Sequence, residues 1–164
     1  MVDLWVCNSS ALIALARIGR LDLIESLAAR ILVPAAVLRE IEAGSDRDSA
    51  AQTIKSSPRL QIVSDLDLPE AVLSRRLDPG ESQVLAFALH EPGRGVVIDV
   101  RAARRCAASL SPPMIGTVGI VALARQRGTL KAAAPIYQAL RAAGLFVSPA
   151  LVKAVLAQFG EEAE

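Results

Sequence analysis

The sequence predicts an α/β fold, namely a three-layer α/β/α sandwich around a central parallel sheet of four or five strands. Short apolar segments of strand length alternate with helical segments, and the connections between them are only a few residues long. Apolar residues make up 52% of the chain and charged residues 21%, which suits a packed core and excludes a disordered chain. The length of 164 residues favours a single domain over residues 1–164, in which we expect residues 130–160 to be a C-terminal helical extension.

Three strands and their intervening helices are predicted in the first part of the chain. Gly19 and Gly44 are placed to end helices, because glycine is favoured just past a helix C-terminus. Pro34 suits the first turn of the helix after the second strand, and Ser9 or Ser10 can cap the first helix. The predicted strands are Asp3–Cys7, Arg30–Val33 and Leu60–Val63, and the predicted helices are Ala11–Ala16, Leu21–Ala29, Ala35–Ala43, Ser45–Ser56 and Pro69–Arg76.

The second part of the chain contains the clearest buried strand. Gly95–Ile98 is a continuous β-branched run without alternating polar positions, which is typical of a strand buried on both faces. The segment Asp78-Pro79-Gly80-Glu81 matches a capping box, in which Asp78 caps a helix and Glu81 reaches back to the Asp78 amide. The other predicted elements are the helices Ser82–His90, Arg101–Leu110, Val118–Arg127, Leu130–Ala143 and Pro149–Phe159 and the strand Met114–Ile115.

Composition excludes several classes of function. Aromatic residues are only 3% of the chain, which argues against a domain that stacks nucleic-acid bases on an aromatic platform. Two cysteines, Cys7 and Cys106, and one histidine, His90, argue against a zinc site and against a Cys-His or Ser-His nucleophile. We expect both cysteines to be buried. No apolar run approaches the roughly 18 to 20 residues that span a bilayer and no secretory signal is evident, so we expect no membrane contact and a cytoplasmic location.

Charge is unevenly distributed along the chain. Residues 1–99 contain 10 basic and 14 acidic residues, whereas residues 100–160 contain 8 basic residues and no acidic residue. An acidic cluster on one side and a basic surface on the other would suit metal-dependent chemistry on a polyanion. The alternative is that the basic residues are scattered over several helix faces.

Four oxygen-bearing side chains are expected at one edge of the sheet. Asn8 follows the first predicted strand and Asp99 follows the fourth, while Glu40 and Glu81 lie on neighbouring helices. Ligands of open parallel sheets bind outside the carboxyl ends of the strands. Oxygen ligands suit Mg²⁺ or Mn²⁺, which can activate a water and neutralise charge on an attacked phosphodiester.

Each of these residues also has a purely structural interpretation. Glu81 fits the capping box, Glu40 fits a solvated helix face, and Asn8 can close a turn through backbone hydrogen bonds. Asp99 is favoured as functional by its position at a strand end. Glu42 lies about 200° around the helix from Glu40 and therefore cannot share its role.

Five stretches of the chain, in order, resemble the PIN-domain family, and more closely one of its uncharacterised prokaryotic subfamilies. They are VCNSSALIALARIGRLDLIESL, ILVPAAVLREI, LDPGESQVLAFAL, VVIDVRAARRCA and IGTVGIVALARQRG, and together they cover nearly the whole chain. The resemblance implies a PIN-like domain that acts as a small metal-dependent ribonuclease. The PIN-domain family includes the toxins of toxin–antitoxin pairs.

The resemblance also implies roles for individual residues. The four acidic positions of the family fall on Asn8, Glu40, Glu81 and Asp99, which would be the catalytic and metal-binding residues. Active PIN nucleases usually carry aspartate where this chain has Asn8, and loss of one negative charge should lower cation affinity. The implied substrate-binding residues are Ser10, Arg101, Arg104, Arg105 and Thr117.

The resulting hypothesis is a Mg²⁺- or Mn²⁺-dependent endonuclease of single-stranded RNA, acting as a toxin with an antitoxin protein as partner. The alternative is a catalytically weak or silent PIN-fold module that binds nucleic acid or protein, which the amide of Asn8 favours. A phosphoacceptor switch would need paired acids after the first strand, which the sequence lacks. Apolar side chains in residues 130–159 suggest a homodimer, and the alternative is that these helices only cover the sheet.

Overall fold

The computed structural model describes residues 2–44, 49–91, 93–99, 101–110 and 112–163. Five strands form one parallel sheet with the order β3-β2-β1-β4-β5, which confirms the predicted fold class. The strands are β1 (Leu4–Cys7), β2 (Arg30–Pro34), β3 (Leu60–Val63), β4 (Gly95–Val97) and β5 (Met114–Ile115).

Ten helices flank this sheet in the described ranges. They are α1 (Ser9–Arg17), α2 (Asp22–Glu25), α3 (Ala35–Ala43), α4 (Ala50–Ser56), α5 (Glu70–Leu73), α6 (Pro79–His90), α7 (Arg101–Leu110), α8 (Thr117–Gln126), α9 (Ala134–Ala142) and α10 (Pro149–Gln158). None of the helices in these ranges is long and apolar enough to cross a membrane.

The strand order creates a topological switch point between β1 and β4. The chain runs outward from β1 through β2 to β3, and then returns to the other side of β1 to form β4 and β5. The connections after β1 and after β4 therefore diverge in opposite directions and leave a crevice at the carboxyl ends of these two strands. In open α/β sheets this crevice is where ligands bind.

The two central strands form the middle of the core. Val6, Cys7, Val96 and Val97 have no exposed surface, as expected for a parallel strand covered on both faces. Cys7 and Cys106 are both free and buried, as predicted. Burial raises the pKa of the Cys7 thiol, so this side chain acts as a small apolar group and not as a nucleophile.

Several helix ends differ from the prediction. Helix α2 ends at Glu25, because the Ser26 hydroxyl donates to the Leu23 carbonyl and competes with further helical hydrogen bonds. Helix α9 begins only at Ala134, since Pro135 has no backbone N–H to donate to an earlier turn and is therefore tolerated only in the first turn. Of the predicted helix Ser45–Ser56, residues 45–48 lie outside the described residues and α4 covers the remainder.

Glu161, which follows α10, connects the C-terminal end of the chain to α8 and α9 through hydrogen bonds. Its carboxylate accepts hydrogen bonds from the Ala133 and Ala134 amides at the start of α9, and from Arg125 Nε at 2.8 Å. Burial raises the pKa of Glu161, but these hydrogen bonds outweigh it and the net shift is downward. The division of the domain into a body and an extension over residues 130–160 stays a prediction.

Candidate functional site

Asn8 lies at the switch point between β1 and β4. Its backbone amide donates to the Val97 carbonyl at 3.0 Å, which places it beside the end of β4. The side chain is only 2% exposed, and Oδ1 accepts no hydrogen bond from any residue in the described ranges. This oxygen therefore closes no turn through backbone hydrogen bonds to the described residues. A buried carbonyl oxygen without a partner is costly, and such an oxygen is often completed by an ion or a water.

Glu40 reaches from α3 to the start of α6. Its Oε1 accepts the Gly80 amide at 2.8 Å, and Ser9 Oγ donates to its Oε2 at 3.4 Å. A Cβ on residue 80 would lie 2.5 Å from Glu40 Oε2, so glycine is needed for this close approach. Glu40 is thus half-buried in contact with two other segments, and the interpretation as a solvated face residue is wrong.

Only one half of the predicted capping box is present at the start of α6. Asp78 makes no side-chain capping hydrogen bond, whereas its backbone amide does donate to the Glu81 carboxylate. Glu40 supplies from another helix the acceptor that Asp78 was expected to supply locally. The sequence pattern could not show this contact, because the two residues are 40 positions apart.

Glu81 is a buried carboxylate in a negative environment. Burial raises its pKa, the charges of Asp78 and Glu40 raise it further, and the hydrogen bond from the Asp78 amide opposes them. Burial and negative charge both disfavour ionised Glu81. A bound cation would remove this penalty. By contrast, Glu42 on the same helix as Glu40 points away, exposed and paired with Lys55 Nζ at 2.7 Å, as predicted.

Replacing Glu81 with glutamine should stabilise the metal-free protein at neutral pH. Because the folded-state pKa of Glu81 lies above its ordinary value of 4.5, its contribution to stability is present at low pH and is lost as the pH rises through the folded-state pKa. In EDTA we expect Glu81→Gln to have the higher Tm at pH 7.5, and the difference to vanish as the pH falls to 4.5. Thermal unfolding across this range measures the effect. A lower Tm for the variant at pH 7.5 would contradict it.

Asp99 lies after β4 and holds the start of α8. Its Oδ1 accepts the Thr117 amide at 2.7 Å, and its Oδ2 accepts the Thr117 hydroxyl at 2.5 Å. A Cβ on Gly116 would lie 2.7 Å from Asp99 Oδ1 and 2.9 Å from Arg104 Nη1, so this position also needs glycine. Arg104 is fixed by a 2.8 Å hydrogen bond from Nη1 to the Ile98 carbonyl. Asp99 therefore caps α8 from a distance, as Glu40 caps α6.

The predicted site residues thus form two groups, and Asn8 is connected to both of them through the backbone. Glu40 and Glu81 lie with Ser9 around the start of α6, while Asp99 and its neighbours lie around the start of α8. Asn8 precedes Ser9 in sequence and is bonded to the strand that leads to Asp99. We call the set Asn8, Glu40, Glu81 and Asp99 the switch-point site.

The five predicted substrate-binding residues lie in different surroundings. Thr117 and Arg104 lie next to Asp99, and Ser10 Oγ is buried without a hydrogen-bond partner in the described ranges. Arg105 is exposed, and the side chain of Arg101 lies outside the described part of the structure. Sequence reasoning missed Ser9, Gly80 and Gly116. The glycines beside Glu81 and Thr117 were visible in the sequence, but only the structure shows which side chain each one accommodates.

The donors at the switch-point site suit a hard divalent cation. All are oxygens, and the buried, unpartnered Oδ1 of Asn8 is the atom that most clearly lacks a ligand. No group of three or more His, Cys, Asp or Glu side chains in the described ranges lies close enough together to hold a metal ion. A cation here would thus need the Asn8 amide oxygen and water besides the carboxylates, as Mg²⁺ and Mn²⁺ allow. Joint binding by all four residues stays a prediction.

Comparison with known protein families gives a match over nearly the whole chain. The sequence model of a family described as a PIN domain matches residues 4–161 of the chain. No similar sequence was found among the curated proteins. The match covers all five strands and all ten helices of the described structure.

Proposed function

The chain belongs to the PIN-domain family, which has a nuclease fold and generally uses divalent metals, and from this premise we propose that it is a divalent-metal-dependent endonuclease of single-stranded RNA. The observation that carries the proposal is the buried, unpartnered Oδ1 of Asn8 at the switch point, adjoining the groups of Glu81 and Asp99. A cation there would give the Asn8 Oδ1 a partner. Its positive charge would also favour the ionised form of the Glu81 carboxylate, which burial and nearby negative charge disfavour.

Each residue of the switch-point site would have its own role in binding the metal ion or orienting a water. Asp99, Glu81 and Asn8 would hold Mg²⁺ or Mn²⁺, with Glu40 acting through water. When bound, the ion supplies a more acidic water and neutralises phosphate charge. Glu40 is held by the Gly80 amide through Oε1, which leaves Oε2 with Ser9 as the oxygen that can orient a water.

Arg104 is the best-placed phosphate ligand. Its guanidinium has five N–H donors in a fixed plane, of which the bond to Ile98 uses one, and it lies beside Asp99. Arginine binds phosphate through two parallel hydrogen bonds. Such contacts do not read sequence, so the RNA would be chosen by its single-stranded shape. Arg101, Arg105, Ser10 and Thr117 are proposed as further substrate-binding residues on family position.

Two matched substitutions on α3, one at Glu40 and one at Glu42, test the proposal. We expect a labelled single-stranded RNA to be cleaved in Mn²⁺ and not in EDTA, with Glu40→Gln strongly reducing the rate and Glu42→Gln leaving it unchanged. Both substitutions remove one negative charge from the same helix, but Glu42 is paired with Lys55 at the surface. Equal rates for the two variants, or cleavage in EDTA, would contradict the proposal.

A silent binding module is the second candidate. Asn8 in place of the usual aspartate favours it, as does the lack of a three-carboxylate group among the described residues. Binding of RNA that is the same in EDTA and in Mn²⁺, without cleavage, would support it. Restoring the acid with Asn8→Asp should raise Mn²⁺ affinity in calorimetry if the cation site is correct.

A toxin role, an antitoxin partner and a homodimer are finer parts of the same proposal, and they rest on the family resemblance. Growth arrest on expression of the chain, relieved by co-expression of a small neighbouring reading frame, would support the toxin and antitoxin roles. Sedimentation of the purified chain measures its oligomeric state.

A further inference from the structure

A cavity of about 450 Å³ opens next to Asp99. Its lining includes Asp99, Arg104 and Gly116 from the surroundings of the switch-point site, and also Leu145, Phe146 and Leu151. Its volume falls in the range of sites for small organic groups. The cavity therefore continues the switch-point site towards the loop that connects α9 to α10.

Phe146 is the most exposed large apolar side chain in the described structure. It is 88% exposed, although the residue after it, Val147, is buried and Leu145 packs against the core. The loop is thus anchored on both sides of an outward-facing ring. The other aromatic side chains are buried or half-buried: Trp5, Phe87, Tyr137 and Phe159.

Two charged side chains, Arg104 and Asp99, line the cavity among the described residues, and Arg104 is the group that can bind an anion. Asp99 is its only acidic lining residue among the described residues, and all other lining residues come from residues 100–160, which contain no acid. Arg104 provides a planar cation and the exposed Phe146 ring provides a planar apolar surface, and both line the cavity. A nucleotide carries the matching pair of groups, namely a phosphate and a flat base.

We propose that Phe146 stacks on a base of single-stranded RNA whose phosphate lies at Arg104, so that the cavity is a nucleotide subsite beside the switch-point site. This inference rests on the proposed function. The composition excludes a platform of several aromatic residues, but one ring at the mouth of the cavity is sufficient for one base. A second copy of the chain is the less suitable occupant, because its apolar surface would remove the charges of Asp99 and Arg104 from water without adding an ionic partner to either.

Binding of RNA to the full chain in EDTA tests the inference without cleavage. The probes are a fluorescein-labelled octauridylate and an abasic phosphodiester chain of equal length, compared at constant salt. We expect Phe146→Ala and Phe146→Leu to weaken octauridylate binding about tenfold, Phe146→Tyr to retain it, and the abasic chain to bind weakly to all of them. Leu73→Ala is the control, since Leu73 is a 58% exposed apolar residue on α5 and does not line the cavity.

The outcomes separate this inference from the proposed function. Equal binding by Phe146→Ala and the wild-type chain would overturn the inference, whether or not RNA is cleaved in Mn²⁺. Binding that depends on Phe146, without any cleavage in Mn²⁺, would support the subsite and overturn the nuclease. If Phe146→Ala instead converts a dimer to a monomer in sedimentation and leaves RNA binding unchanged, the cavity belongs to a second copy and the inference is wrong.

Discussion

Asp99→Asn is expected to reduce Mn²⁺-dependent RNA cleavage by at least about 100-fold, because groups that only support metal ligands already change affinity or activity by about 10- to 100-fold. The substitution removes one negative charge and one oxygen at the centre of the site. The fold should survive, since the amide oxygen can still accept the Thr117 backbone N–H and the amide NH₂ can donate to the Thr117 hydroxyl. Cleavage rates and thermal unfolding, measured on the same preparation, separate the two effects.

Asp65→Asn is the matched control for this experiment. Like Asp99, Asp65 accepts a backbone amide at a helix start, from Ala36 at 2.9 Å. It also accepts a hydrogen bond from Arg39, whereas in the described structure Arg104 donates to the Ile98 carbonyl and not to Asp99. It follows β3 at the far end of the sheet from β4. We expect a similar small loss of stability and unchanged cleavage. Retention of more than about a tenth of the rate by Asp99→Asn would remove Asp99 from the catalytic residues.

Gly95→Ala is expected to have the largest effect on stability. Gly95 of β4 pairs with Trp5 of β1, and a Cβ on residue 95 would lie 2.5 Å from Trp5 Cε3. The ring is only 8% exposed and has little room to move. Overpacking of this kind costs about 1–3 kcal/mol. For a domain of this size each kcal/mol lowers Tm by roughly 2–4 °C, so differential scanning calorimetry should show a drop of several degrees.

Two further variants make this prediction specific. At Gly44 a Cβ would lie 3.5 Å from its nearest neighbours and the backbone φ is −71°, so Gly44→Ala should leave Tm nearly unchanged. Combining Gly95→Ala with Trp5→Leu should cost less than the sum of the two single substitutions, because the smaller side chain makes room. Additive effects would show that the ring is not what excludes a side chain at residue 95.

The fold was predictable because its determinants are local. The β-branched run at Gly95–Ile98 and the glycines and prolines at helix ends mark elements within a few residues. That Asn8 and Asp99 lie at the same edge of the sheet follows from the parallel direction of the strands, which the alternation of elements implies. That β1 and β4 are neighbours is shown only by the structure.

The sequence predicts on which elements the candidate site residues lie, but not the contacts that they make. Their joint role as a site stays a prediction. Glu40 caps α6 and Asp99 caps α8 across 40 and 18 positions, and no periodicity or capping motif encodes such pairs. Local capping logic instead favoured Asp78. The sequence showed more apolar side chains in residues 130–159 than a small core needs, Phe146 among them, but it could not show that Phe146 is the one that faces outward.

Crystals of the chain soaked in Mn²⁺ test the central claim most directly. The anomalous difference map should contain one strong peak at about 2.2 Å from Asn8 Oδ1 and from at least one carboxylate oxygen of Glu81 or Asp99. A map without a peak at the switch-point site, with Asn8 Oδ1 bonded to protein or water instead, would contradict the account.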